Sequence, residues 1–164
     1  MAERRLTGIS KIEIGDIAVD GGVSTSFAVL GNTYKDTATL EQAEGEVIEH
    51  EVEEAEDPVV IVPTKGRTTI QFSIIDFTPA TLVKVLGGAV TGVAPAEKWE
   101  APDVASIIEK SVKITPKSGV PITMPRVSLR ARVTYPLTRA GIAQVVITGT
   151  VLQPDKVGTK SIII

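Results

Sequence analysis

Residues 126–135, RVSLRARVTY, alternate without a break. Val127, Leu129, Ala131, Val133 and Tyr135 fall on one parity, and Arg126, Ser128, Arg130 and Arg132 on the other. Successive side chains of a β-strand point to opposite faces, so this pattern dictates a strand buried on one side. Residues 141–152, GIAQVVITGTVL, repeat it with Ala143, Val145, Ile147 and Val151 on one face. The PLTRAG segment between them, with Pro136 and Gly141, suits a hairpin connection. SVKIT (111–115) reads as a further strand closed by the turn KSGVP (117–121), and RTTIQFSII (67–75) alternates through Ile70, Phe72 and Ile74. Near the start, Ile12 and Ile14 share one parity while Ile17 and Val19 share the other, which predicts a bulge at Gly15-Asp16.

One segment carries helix signals instead. In DFTPATLVKVLGG (76–88), Thr78 is placed to cap, Pro79 to open and Gly87 or Gly88 to stop a helix of about 79–87. Leu82, Val83 and Leu86 form its apolar stripe. The expectation is a mainly β chain, a sandwich or barrel-like fold with one short flanking α-helix. It reads as a single domain over residues 1–164, without linker or internal repeat.

Charge is unevenly spread. Residues 44–57, EGEVIEHEVEEAED, hold eight of the chain's 20 acids and its only histidine: Glu44, Glu46, Glu49, Glu51, Glu53, Glu54, Glu56 and Asp57 surround His50. Residues 1–64 carry 14 acids and 4 bases, and residues 65–164 carry 6 acids and 13 bases. Such a dipole is neutralised within the fold or between copies docking head to tail. As a helix, the stretch would bury Val47, Ile48, Val52 and Ala55. As a strand, it would set Ile48, His50 and Val52 against Glu49, Glu51 and Glu53. Thr37, Thr39 and Glu41 alternate ahead of Gly45, suggesting a strand partner across that glycine and a long acidic hairpin over about 36–66.

Several chemistries lack their residues. With no cysteine there is no disulfide, thiolate metal site or cysteine nucleophile. Nothing between Glu44 and Asp57 follows the ligand order of a calcium loop. His50 has no nucleophile elbow to serve, and glutamates around it favour its protonated form over a free base. Aromatics at 4% give little to stack on a sugar or base. VLGGAVTG (85–92) follows a helix, whereas phosphate-binding glycine loops open one. SIIE (106–109) matches a capping box but sits in strand-like surroundings. Arg126, Arg130 and Arg132 could meet phosphates, yet three arginines on an outer strand face are more commonly solvated or paired. No catalytic constellation, metal site or cofactor motif emerges. The start, MAERRLTGIS, has no apolar run, and no segment reaches transmembrane length. A soluble, cytoplasmically made protein is therefore expected.

The serial order of segments carries a resemblance. EAEDPVVIVPTKGRTTIQFSIIDFTPATLVKVLGG (54–88), KWEAPD (98–103), KSVKITPKSG (110–119), ITMPRVSLRARV (122–133) and AQVVITGTVLQPD (143–155) together resemble the major tail tube proteins of tailed bacteriophages, especially the phage and prophage type of Bacteroidota. The likeness runs from about Lys11 to Asp155 and rests on the arrangement rather than on one motif.

That resemblance implies a structural virion protein, not an enzyme. Its copies would form rings, usually hexameric, stacked into a hollow tube for DNA ejection. If each of six subunits gives four strands about 4.8 Å apart, the untilted backbone diameter is about 37 Å, wide enough for a duplex. The implied partners are the chain itself and sheath, terminator or baseplate proteins, with DNA only as passing cargo. The implied location is the virion tail, after assembly in the bacterial cytoplasm. The acidic stretch would either line the lumen, where it repels phosphates, or reach a neighbouring ring and meet Arg126, Arg130 and Arg132. The tail 156–164 ends in Ile162, Ile163 and Ile164, apolar residues suited to burial against a neighbour. The AERR start and SIII end match no motif of the family. The inner tube of a contractile injection system is the close alternative. A monomeric β-sandwich binding module is the alternative of another class.

Overall fold

The computed structural model describes residues 4–164; the first three residues, which include part of the AERR start, lie outside the described region. The chain is mainly β with one short helix. In order, the elements are β1 (Lys11–Gly15), β2 (Ala28–Val29), β3 (Thr39–Gln42), β4 (Val47–His50), β5 (Val60–Pro63), β6 (Thr68–Ile74), α1 (Pro79–Leu86), β7 (Ala89–Thr91), β8 (Lys98–Glu100), β9 (Ile108–Thr115), β10 (Ile122–Thr134) and β11 (Gln144–Val151). Seven of them build one antiparallel sheet in the order β2-β1-β9-β10-β11-β6-β3. The β4–β5 and β7–β8 hairpins stand apart from it.

The sheet curls into a barrel-like body. Residues 28–34 bridge its two ends. The Leu30 amide donates to the Ile12 carbonyl on β1 (3.2 Å), while the Tyr34 amide donates to Ser73 on β6 (2.8 Å) and the Ile75 amide to Asn32 (3.2 Å). With β3 alongside Thr68–Gln71, most of β1 and β6 then have a neighbour on their outer edge, which removes much of the open-edge liability. Inward residues of the strands meet in one core. Phe72 lies at its centre with Ile12, Ile70, Val112, Met124, Val127, Leu129, Val145 and Ile147 around it, all shielded from solvent.

The alternation read in 126–135 holds as far as Val133, but Tyr135 lies beyond the strand and is exposed. No bulge forms at Gly15-Asp16: β1 ends at Gly15, where Ser24 and Ser26 pack so closely that a side chain has no room. The register shift lies instead in β10 between Met124 and Val127. Pro125 sits there without an amide to donate, and the buried Ser111 hydroxyl donates to its carbonyl (2.6 Å).

Helix α1 begins as its sequence dictates. Thr78 Oγ1 accepts from the Thr81 amide (3.2 Å), Pro79 opens the first turn, and Gly87 ends it at φ 78°. Leu82 and Val85 are the residues it buries, while Val83 is only half-buried. Trp99 of β8 donates its indole N–H to the Gly87 carbonyl (2.9 Å), which fastens the β7–β8 hairpin over the helix end.

Candidate functional site

Residues 44–57 form strand and turn, not helix. The pairing differs from a partner across Gly45. β3 pairs with β6 and β4 pairs with β5, so the residues before and after Gly45 lie consecutively in one arm of a single long hairpin. The reversal lies at 51–58, where the Ala55 amide donates to Val52 (3.2 Å) and the Val59 amide to His50 (2.8 Å). At the neck the two chains nearly touch. A β-carbon on Gly45 would lie 1.7 Å from the Thr64 carbonyl oxygen, and one on Gly66 1.7 Å from that of Ala43. Only glycine admits this approach. Beyond the neck, β4 and β5 leave the barrel as a projecting arm.

The register sets the arm's two faces. Ile48 faces Val62 and His50 faces Val60 on one side; Val47 faces Pro63 and Glu49 faces Ile61 on the other. Every residue of both strands is exposed, including Ile48 at 45% and Ile61 at 56%. Glu51, Glu53, Glu54, Glu56 and Asp57 crowd the tip, and Glu44 and Glu46 the neck. None of the eight acids forms an ion pair among the described residues. Basic residues at the base do not change this: Lys65 donates to the Ser161 hydroxyl instead (3.3 Å).

The arginine row divides. Arg126 is engaged within the chain: its Nε and Nη2 clasp both oxygens of Glu109 (2.9 and 3.1 Å), and its Nη1 reaches Asp155 (2.8 Å). The hydrogen bonds it donates to the Glu109 carboxylate push its guanidinium pKa above the ordinary value. It is therefore an internal clasp holding the C-terminal segment, and it drops out of any free basic face. Arg130 and Arg132 remain exposed and make no ion pair among the described residues.

The C-terminal isoleucines are also partly accounted for inside the chain. Ile163 exchanges both backbone hydrogen bonds with Thr123 (2.8 and 2.9 Å), occupying the stretch of β10 edge that β11 does not reach. Ile162 packs against the core, whereas Ile164 is exposed. A neighbouring copy is thus not needed to cover Ile162. Sequence patterning had also passed over the apolar run Val59–Val62, which supplies half of the arm's exposed surface. Its signal was present, because a strand partner for the acidic row had to lie just beyond the turn.

Among the described residues, no three His, Asp or Glu side chains converge to hold a metal ion. No helix there is long and apolar enough to cross a membrane. No protein-family model matches the chain, and no curated protein matches it.

Proposed function

We propose that this chain is a structural subunit that assembles with copies of itself, the repeating unit of a phage tail tube whose stacked rings conduct DNA. The observation that carries the reading is the arm. Two strands extend from the barrel with Val47, Ile48, Val52, Val59, Val60, Ile61 and Val62 all exposed, and with eight acids that form no ion pair among the described residues. A two-stranded hairpin standing alone is marginal in water, and a contiguous apolar surface of this kind marks an interaction site. A channel lining that only repels phosphates calls for charge, not valine and isoleucine on both faces. The arm therefore serves contact between copies, and Glu49, Glu51 and Glu53 belong to that contact rather than to the lumen. DNA is cargo here, and sheath, terminator or baseplate proteins are the further partners of the assembled tail.

Negative-stain electron microscopy over a concentration series, with mass measured in solution, tests the reading. Rings or hollow tubes are the expected result. A monomer at every concentration, with affinity for glycans or another small ligand, would replace it with the binding-module reading.

A further inference from the structure

The arm needs a receiving surface, and the sheet register places one at the other end of the molecule. The arm leaves the barrel at Thr68, the first residue of β6. Ile74, the last, pairs with Val145 of β11, and β11 is joined to the end of β10 by residues 135–143. Seven residues of extended chain at about 3.3 Å each put this connection about 20 Å from the arm's base. The connection exposes Tyr135, Leu137 at 94% and Ile142. Arg139 lies in the same loop, and Arg132 and Arg130 lead up to it along β10. None of these arginines makes an ion pair among the described residues. Asp76, the nearby acid, is engaged by the side chain of Asn32 (2.7 Å).

We propose, building on the tube-subunit reading, that the arm of one copy seats on the 135–142 loop of the next, with Tyr135, Leu137 and Ile142 covering its valines and isoleucines and Arg139 and Arg132 meeting its acids. Two alternatives fail on charge. Arm against arm would gather both sets of acids in one place, which is repulsive. Another exposed apolar region, Val93 with Val104 and Ile107 on either side of β8, is flanked by Glu97, Glu100 and Asp103 against a single Lys98. Because donor and acceptor surfaces occupy opposite ends of the same strands, the contact is heterologous, the kind of contact that can repeat from copy to copy along a stack.

The chain has no cysteine, so introduced pairs report contacts without interference. Ile48→Cys combined with Leu137→Cys, mildly oxidised under assembly conditions, is expected to give a ladder of disulfide-linked multimers. Ile48→Cys combined with Ile107→Cys is expected to give none. Leu137→Asp alone, at a site too exposed to affect folding, should raise the concentration needed for assembly about tenfold or more. Rings or tubes that form with no ladder, or with equal ladders from both pairs, would overturn this contact while leaving the tube reading intact. Absence of any assembly in the parent chain would overturn both.

Discussion

The barrel and the arm are built from the same kind of strand yet solve opposite problems. In β6, Ile70, Phe72 and Ile74 point into a closed core; in β5, a few residues earlier, Val60, Ile61 and Val62 stay about half exposed among the described residues. A continuous apolar run usually signals a strand buried on both faces. Here it signals a surface completed by something else. The contrast is that local pattern fixes strand formation, whereas burial depends on what the topology brings alongside.

Substitutions can break this comparison or sharpen it. The largest effect on the isolated chain belongs to the core: Phe72→Ala should cost about 3–5 kcal/mol, measured by chemical denaturation, because it opens a cavity at the barrel centre. Next comes the internal clasp. Arg126→Ala should cost about 1 kcal/mol, since its partners Glu109 and Asp155 are partly or largely exposed and solvent screens the pairs. It should also loosen the C-terminal segment, seen as faster amide exchange at Ile163. Ile61→Ser in the arm should change the stability of the lone chain by less than about 0.5 kcal/mol. It should nonetheless raise the concentration for assembly, and added salt should do the same by screening the arm's acids. A large loss of stability from Ile61→Ser would mean that the arm folds back onto the barrel.

The smallest effect concerns Asp16. Its hydrogen bond and charge contact with Lys110 hold its carboxyl below the usual carboxylate pKa. A depressed folded-state pKa contributes stability that is fully present above the unfolded value near 4 and is lost as pH falls through the folded value. Asp16→Asn should slightly lower stability at neutral pH, leave stability in strong acid nearly unchanged, and so slightly flatten the acid limb of the profile measured by denaturation across pH.

Much of the barrel was legible in the chain, for identifiable reasons. The parity of Val127, Leu129, Val145 and Ile147 forced β10 and β11 to share a buried face, and Thr78-Pro79 with Gly87 fixed the helix within a residue. The closure by residues 28–34 was not legible. Its contacts with β1 and β6 are only a few residues long and are interrupted at Gly31, too short for a period to register. The bulge in β10 had a signal in Pro125, a residue without an amide in the middle of a strand. For the candidate site, the crowding of acids was plain, but the loss of Arg126 to Glu109 and Asp155 depends on residues 17 and 29 positions away. Only the folded chain could bring them together.

The most direct measurement is sedimentation velocity on the intact chain beside one in which residues 44–66 are replaced by Asn-Gly. That dipeptide can close a two-residue hairpin between Ala43 and Arg67, whose backbones are already hydrogen-bonded (2.8 Å). The intact chain should form large, salt-sensitive assemblies, while the armless chain should stay a folded monomer with an unchanged barrel circular-dichroism signature. Assembly by both chains at the same concentrations would contradict the arm as the contact that builds the structure.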